Sequence, residues 1–123
     1  MGSSCSRCSC GKKEKDHYRC VIVGLDGAGK TTLFNYICDK NQGEKQPISG
    51  FEICSREYDK IIFDFWDTNG DACCRQFWTH YIFGAHAIIF VVDSTNRERF
   101  PEVKAELIKL LNCEGTEVFQ VSF

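Results

Sequence analysis

The sequence predicts an α/β fold, with a mainly parallel sheet and helices on both of its faces. An apolar run at residues 20–24 leads directly into a glycine-rich turn and then into a helical pattern. A second apolar run, residues 87–93, is followed by an amphipathic helical pattern at residues 97–111. Strands that alternate with helices along a chain are typical of parallel sheets, because each helix carries the chain back to the same end of the sheet.

The composition indicates one globular domain. The chain has 123 residues, of which 43% are hydrophobic and 26% charged, so it can bury a core of ordinary size. A net charge of −2 does not favour a nucleic-acid partner. The charge is uneven, however: residues 1–19 contain five Lys or Arg and two acidic residues, a local charge of +3.

Targeting features and cysteines restrict the cellular setting. The longest apolar run, residues 87–92, is much shorter than the roughly 20 residues that a membrane helix needs. The N-terminus also lacks the apolar segment of a secretory signal. Nine cysteines are present, an odd number. We interpret them as reduced thiols of a cytosolic protein rather than as a disulfide framework.

The first half of the chain divides into a tail, a strand–turn–helix unit and a hairpin. Residues 1–17 are small, polar and basic, which predicts a flexible tail. Residues 31–38 are expected to form a helix, with Leu33, Phe34 and Ile37 on its buried side. Residues 39–50 are expected to form a loop. Residues 51–58 and 60–66 then predict two antiparallel strands joined around Asp59.

The second half predicts a turn at residues 67–72, a helix at 73–83 and a fully buried strand at 87–93. Trp78 is expected in the core. The helix at residues 97–111 has one apolar face, formed by Phe100, Val103, Leu107, Leu110 and Leu111. Residues 117–123 alternate loosely between apolar and polar, which indicates the start of a further strand.

The glycine-rich turn matches the G-x-x-x-x-G-K-[ST] pattern for binding phosphate. Glycines allow successive backbone N–H groups to turn towards one phosphate, the lysine reaches the outer phosphates, and the hydroxyl binds Mg²⁺ at the start of a helix. A strand before the turn and a helix after it are the context that this motif requires. The candidate nucleotide-binding residues here are Gly24, Leu25, Asp26, Gly27, Ala28, Gly29, Lys30, Thr31 and Thr32.

Three motifs in order, GLDGAGKTT, FWDTNGD and FVVDSTNRERF, resemble those of the ADP-ribosylation-factor-like (Arf-like) small GTPases. The resemblance covers residues 18–112. It implies the small-GTPase form of the P-loop NTPase fold, with a six-stranded sheet. It also implies GTP or GDP as the bound nucleotide, Mg²⁺ as cofactor, and effector and regulatory proteins as partners in signal transduction.

The resemblance also assigns roles to residues outside the loop. Asp67 and Gly70 fit the D-x-x-G motif, in which Asp67 holds Mg²⁺ together with Thr31 while the Gly70 N–H bonds the γ-phosphate. An alternative for Asp67 is a plain turn-forming residue after a strand. Phe51, Trp66 and Tyr81 match three aromatic residues that family members expose to effectors, but simple core packing explains them equally well.

The sequence departs from the family pattern at the switch positions. Asp71 stands where the family has the glutamine that orients the attacking water, and a carboxylate adds like-charge repulsion beside the γ-phosphate. Asn69 also replaces a glycine. We therefore expect weak or absent GTP hydrolysis. In the first switch, Ile48 occupies the position of a Mg²⁺-binding threonine, and the Ser49 hydroxyl is one residue out of register.

The C-terminal part of the family pattern is missing. No N-K-x-D motif for guanine occurs, and residues 113–123 match no family segment. We expect a partial G domain over residues 18–112 with a divergent tail, which would leave one edge of the sheet exposed. Specificity for guanine consequently rests on the resemblance alone.

The N-terminal tail fits the M-G-x-x-x-[ST] pattern for myristoylation of Gly2. Cys5, Cys8 and Cys10 are candidates for palmitoylation, and nearby lysines can contact anionic headgroups. One acyl chain binds a membrane only marginally, so stable anchoring needs a palmitoyl chain or the basic residues as well. The alternatives are an unmodified solvated tail and a metal site. A Cys-rich tail also occurs in other Arf-like proteins, some of them ciliary, so we expect a cytoplasmic, membrane-associated protein.

Three functions follow from these observations. The first is a membrane-anchored, Arf-like GTP-binding switch protein with impaired hydrolysis. The second is an active GTPase whose site is completed by Asp71 or by a partner. The third is a truncated chain that binds no nucleotide and acts as a lipidated interaction fragment.

Overall fold

The computed structural model describes residues 14–38, 45–48 and 51–113. It contains one sheet of five strands: β1 (Asp16–Val23), β2 (Lys45–Ile48), β3 (Phe51–Tyr58), β4 (Ile61–Thr68) and β5 (Ala87–Phe90). The α-helices are α1 (Lys30–Ile37), α2 (Trp78–Ile82) and α3 (Phe100–Leu111). Short 3₁₀ turns, Arg75–Phe77 and Arg97–Arg99, lead into α2 and α3.

The strand order in the sheet is β2-β3-β4-β1-β5. β1 pairs in parallel with both β4 and β5, whereas β3 is antiparallel to β4 and to β2. The α/β class predicted from the sequence is confirmed. The sheet is mixed rather than mainly parallel, because β3 is antiparallel to both of its neighbours, whereas β4, β1 and β5 are parallel. No described strand lies on the outer side of β5.

The strand register brings the predicted functional segments to one edge of the sheet. Ile22 lies opposite Asp67 in the β1–β4 ladder, and Phe51 lies opposite Thr68 in the β3–β4 ladder. The C-terminal ends of β1 and β4 and the beginning of β3 therefore meet at this edge. In α/β sheets such an edge is the usual place for ligand binding.

The predicted β3–β4 hairpin is confirmed, but its turn contains Lys60, which was expected in the second strand, as well as Asp59. Both residues have positive φ, 49° and 68°. Two successive residues of this kind form the two-residue turn whose twist matches that of the flanking strands.

Each face of the sheet carries its own buried cluster. α2 and α3 cover a first core cluster, formed by Val21, Val23, Trp78, Ile82, Ile88, Phe90 and Leu110. α1 covers a second core cluster, formed by Ile22, Phe34, Cys38 and Cys54. Successive residues of β1 point alternately to the two clusters, as the period of a strand requires. Helices on both faces were predicted, and the prediction for Trp78 is also confirmed.

Several element boundaries differ from the prediction. Part of the expected loop at residues 39–50 is strand β2, whose Lys, Gln and Pro have low strand propensity, so its pairing with β3 overrides local preference. β4 continues through Thr68 into the expected turn, and the expected helix at residues 73–83 is a 3₁₀ turn plus the short α2. The strand expected at residues 87–93 ends at Phe90 and is only alternately buried.

The expected apolar face of the last helix is only partly buried. Leu110 is buried and Val103 and Leu107 pack against the first core cluster, but Phe100 and Leu111 remain 40% and 48% exposed. Phe100 and Leu111 are the first and last residues of this helix.

The prediction that all cysteines are reduced thiols is wrong for one pair. Cys38 and Cys54 form a disulfide between the end of α1 and the middle of β3. The physical reason is proximity: both residues are fully buried in the same core cluster. Of the other described cysteines, Cys20 is buried and Cys73 is exposed, and neither belongs to this disulfide.

Some predicted features lie outside the described residues. These are the lipidation residues Gly2, Cys5, Cys8 and Cys10, the first-switch residue Ser49, and the C-terminal segment 114–123. Within the described ranges, no helix has the length and apolar character needed to cross a bilayer.

Candidate functional site

The glycine-rich turn connects β1 to α1 at the edge where the strand ends meet. Gly29 is the N-cap residue of α1 and has a φ of 99°, a conformation that side-chain-bearing residues rarely adopt. The turn is closed by hydrogen bonds from the Ala28 N–H to the Leu25 carbonyl (3.2 Å) and from the Leu33 N–H to the Gly29 carbonyl (3.0 Å). The first N–H groups of a helix have no partner within it, so the start of α1 offers donors for an anion.

Lys30 is a buried cation at the centre of the turn. Its Nζ donates to the Leu25 carbonyl oxygen at 2.8 Å. Burial lowers the pKa of the Lys30 ammonium, and the negative charge of Asp67 opposes that effect. A buried ammonium with one carbonyl partner retains capacity for further acceptors, since it has three donors. Phosphate oxygens in the turn would satisfy that capacity.

Thr31 and Asp67 form the other polar contact of the site. The Thr31 hydroxyl donates to Asp67 Oδ2 at 3.0 Å. Asp67 is held at the end of β4 and is only 8% exposed, and the neighbouring Thr68 hydroxyl donates to the Ile22 carbonyl at 2.7 Å. A hydroxyl and a carboxylate side by side are the hard oxygen ligands that Mg²⁺ prefers. The two residues therefore fit a bound Mg²⁺, and they are the residues that would hold it.

The segment after β4 packs directly on the phosphate turn. The Asp26 N–H donates to the Gly70 carbonyl at 3.1 Å. A Cβ at Gly70 would collide with the Gly24 carbonyl, the Asp26 nitrogen and the Lys30 ammonium, so only glycine allows this approach. The phosphate turn and the segment after β4 are therefore in direct contact at Gly70.

A cavity of about 490 Å³ lies between these two segments. Most of the predicted site residues line it: Asp26, Gly27, Lys30, Thr31, Asp67, Gly70 and Asp71, together with Phe51, Glu52, Thr68 and Asn69. Asp71 is exposed, and its N–H donates to Asn69 Oδ1 at 2.8 Å. Gly29 and Thr32 border an adjoining depression around the first turn of α1. Gly24 and Leu25 are buried beneath the turn.

Arg99 was not predicted as a site residue, but it binds the phosphate turn through Asp26. Arg99 donates to the Asp26 side chain (2.8 Å) and to the Asp26 carbonyl (2.9 Å), and also to Glu102 (3.2 Å). The hydrogen bond from Arg99 lowers the pKa of the Asp26 carboxyl, and another lowers the pKa of Glu102. The RER sequence that contains Arg99 contributed to the family resemblance, but nothing local indicated this distant partner.

A second missed residue, Arg75, connects three elements. Its Nε donates to the Gly70 carbonyl at 2.9 Å, and its other nitrogens contact Glu102 (2.6 Å) and Asp26 (3.2 Å). The side chain is only 8% exposed. Arg75 thus joins the phosphate turn, the segment after β4 and helix α3. The sequence gave no indication of the contacts with Glu102 and Asp26, because these partners lie 27 and 49 residues away in the chain.

The three aromatic residues expected at an effector surface do meet in the structure. Phe51 stacks on Trp66 with ring centroids 4.8 Å apart and contacts Tyr81 at 4.9 Å. The guanidinium of Arg19 lies 4.8 Å from the centroid of Trp66 on the same cluster. All three aromatic rings are half-buried, and Trp66 and Tyr81 also pack against the first core cluster. The aromatic cluster therefore both completes the core and presents surface to solvent.

The fold and the site together define a P-loop protein with the small-GTPase fold: a glycine-rich turn between strand and helix, and a carboxylate at the end of the neighbouring strand. A family model described as the ADP-ribosylation factor family matches residues 6–121. The chain belongs to this family, as the resemblance predicted.

Similar proteins agree with that assignment. ADP-ribosylation factor J of Dictyostelium discoideum is 41% identical over 111 residues, which are 88% of this chain and 57% of that protein. ADP-ribosylation factor K of the same organism is 43% identical over 111 residues, 90% of this chain and 57% of the relative. The chain thus spans little more than half the length of these curated relatives.

A solved structure shares the fold. It is the Arl6 BBS3 small GTPase of Trypanosoma brucei with the bound nucleotide analogue GppNp. The match has a TM-score of 0.71 and 28% sequence identity, and it covers 85% of this chain and 65% of that one.

Proposed function

We propose that the chain is an Arf-like GTP-binding switch protein, anchored to a membrane by its N-terminal tail and weak or inactive in GTP hydrolysis. The observation that supports it most strongly is the pairing of Thr31 with Asp67 (3.0 Å) beside the buried Lys30. This arrangement supplies oxygen ligands for Mg²⁺ and a cation for phosphate on one wall of the same cavity.

The contacts around Gly70 support the switch itself. Gly70 lies against the phosphate turn through the Asp26 N–H, and Arg75 binds the same carbonyl. A third phosphate beyond the turn would occupy the space beside Gly70. Its presence or absence would therefore change the segment that carries Arg75, which is how a γ-phosphate controls a nearby segment in nucleotide switches.

Weak hydrolysis is proposed because Asp71 borders the cavity where the attacking water would be oriented. Its carboxylate accepts hydrogen bonds but donates none, and it brings negative charge to the γ-phosphate. An active GTPase that is completed by a partner remains the second candidate, since Arg fingers can be supplied by another protein.

Hydrogen exchange tests the switch. We expect the amides of residues 66–75 to exchange more slowly with a non-hydrolysable GTP analogue and Mg²⁺ than with GDP and Mg²⁺, while those of β5 stay unchanged. The same exchange in both nucleotide states would contradict the switch, even if nucleotide binds. No protection by either nucleotide would favour the third candidate, an interaction fragment.

Anchoring is proposed from the tail sequence alone, Gly2 with Cys5, Cys8 and Cys10. A myristoyl chain plus one palmitoyl chain or a basic segment is enough for stable membrane binding. Mass spectrometry of the chain produced in eukaryotic cells should find acyl groups at Gly2 and at one or more of these thiols, and Gly2→Ala should release it from membranes. Unmodified peptides from the wild-type chain would refute the anchor.

A further inference from the structure

One covalent link joins two walls of the cavity. The disulfide between Cys38 and Cys54 connects positions 16 residues apart in sequence, with Cα atoms 6.1 Å apart. Cys38 is the C-cap residue of α1, the helix that begins with Lys30 and Thr31. Cys54 lies in β3, the strand that begins with Phe51 on the cavity wall.

The surroundings of the pair isolate it from solvent. Cys38 and Cys54 are both fully buried, in contact with Ile22 and Phe34. Phe65, Ile89 and other apolar side chains pack around this cluster. A thiol reagent reaches such buried sulfurs only when the packed core around them opens locally, so the bond forms and breaks at the rate of that opening.

We propose that Cys38 and Cys54 form a reversible, redox-controlled tether that fixes β3 to α1 and slows exchange of the bound ligand. In the disulfide state, the wall that carries Phe51 and Glu52 cannot move away from the helix that carries Lys30 and Thr31. In the dithiol state the two walls are held only by packing and by the sheet. The tether itself rests on the disulfide geometry, while its effect on nucleotide release rests also on the proposed function.

The redox step balances by thiol–disulfide exchange. A disulfide of the glutathione class is attacked by one cysteine thiolate, which forms a mixed disulfide and releases one glutathione thiolate. The second cysteine then attacks the mixed disulfide, which forms the Cys38–Cys54 bond and releases the second glutathione. The two cysteines are oxidised by two electrons, oxidised glutathione is reduced by two, and the two thiol protons end on the two glutathione molecules.

The first test needs no nucleotide. The full chain is equilibrated with oxidised or with reduced glutathione, its free thiols are alkylated, and the disulfides are identified by peptide mapping under non-reducing conditions. We expect a Cys38–Cys54 peptide in the oxidised sample and a melting temperature higher by about 10 °C, since a loop of this size stabilises strongly when closed. Cys54→Ser should lose that dependence on glutathione, whereas Cys113→Ser, at a cysteine outside the Cys38–Cys54 bond, should keep it.

The second test measures release of a fluorescent guanine nucleotide in Mg²⁺ buffer. Oxidised chain should release the nucleotide about tenfold more slowly than reduced chain. A tenfold change in rate corresponds to about half of the stabilisation that a disulfide usually contributes. Should Cys54→Ser fail to fold, the reduced wild-type chain replaces it in both tests. If the chain does not bind nucleotide, the proposed function is refuted. The peptide mapping alone then tests the tether.

Three results would overturn the proposal. They are the absence of a Cys38–Cys54 peptide after oxidation, a bond that reduced glutathione cannot open, and release rates that are equal in the oxidised and reduced chain.

Discussion

At the scale of single residues, hydrogen bonds already hold the polar groups of the candidate site in place. Lys30 is buried and points at a carbonyl of its own turn, and Thr31 is paired with Asp67 across the cavity. Both groups border the same cavity, so a ligand with several oxygens contacts both without reorganising the site. Preorganised groups of this kind are typical of a binding site.

The role of Lys30 can be measured by removing its charge. Lys30→Ala should weaken binding of GTP by about ten- to a hundredfold, because a charge-assisted hydrogen bond contributes about 1.5–3 kcal/mol. Isothermal titration calorimetry in Mg²⁺ buffer measures the Kd. Lys104→Ala, at an exposed position of α3, is the matched control and should bind like the wild type. Equal affinity of the two variants would show that Lys30 does not contact phosphate.

The role of Asp71 is tested by restoring an amide. Asp71→Gln should raise the single-turnover rate of GTP hydrolysis by at least about tenfold, since a side chain that orients water and donates a hydrogen bond replaces a repelling carboxylate. Asp71→Asn removes the charge with a shorter amide and should raise the rate less. Rapid turnover by the wild-type chain, or no gain in Asp71→Gln, would contradict the account of weak hydrolysis.

At the scale of elements, the arginines hold three segments in one arrangement. Arg99 fixes the phosphate turn to the start of α3, and Arg75 fixes the segment after β4 to both. These residues do not line the cavity, but they decide where its two walls lie. They therefore act as positioning residues.

Removing Arg75 should destabilise the fold. Arg75→Met removes one hydrogen-bond or ion-pair partner each from the Gly70 carbonyl, Glu102 and Glu106, so we expect a loss of about 1–3 kcal/mol in the free energy of unfolding. Urea denaturation measures this loss. Arg97→Met, at an exposed position nearby, should change stability by less than about 0.5 kcal/mol. A similar loss in both variants would contradict the role given to Arg75.

The ion pairs of Arg99 also predict a pH dependence. Arg99 lowers the pKa of Asp26 and of Glu102 from their ordinary values of 3.8 and 4.5. The folded state therefore binds fewer protons, and the stabilisation is present above the ordinary values and is lost as the pH falls below them.

The urea midpoint measured at several pH values tests that dependence. The wild type should be more stable than Arg99→Gln by a constant amount between about pH 7 and pH 5, and the difference should shrink towards pH 3. Because both carboxylates are half-exposed, the difference should also shrink in high salt. A difference that grows at low pH would refute the assigned ion pairs.

Elements that depend on local sequence rules could be predicted, whereas contacts between residues distant in the chain could not. The phosphate turn, α1 and the β3–β4 hairpin follow from local rules, namely glycine spacing, helical periodicity and a two-residue turn, and they were predicted. β2 follows from pairing with β3, and the partners of Arg75 and Arg99 lie 49 and 73 residues away at Asp26. The Cys38–Cys54 link likewise needs the packed core. Such contacts have no local pattern in a single sequence.

At the scale of the whole molecule, the described residues build a sheet with both faces covered in part. β1 lies between its two parallel neighbours, β4 and β5, and its residues alternate between the two core clusters. The cavity opens where β1 and β4 end, next to the start of β3. The site lies where the parallel strands β1 and β4 end. The turn that follows β1 supplies its phosphate-binding groups.

The central claim is that residues 24–31, together with Asp67, bind a guanine nucleotide triphosphate through Mg²⁺. The most direct test is the melting temperature of the full chain with GTP and Mg²⁺, with GTP and EDTA, and with ATP and Mg²⁺. We predict an increase of several degrees with GTP and Mg²⁺ that is largely lost in EDTA, because a ligand that binds only the folded state stabilises it by mass action. An unchanged melting temperature under all three conditions, with a chain that melts cooperatively, would contradict the account.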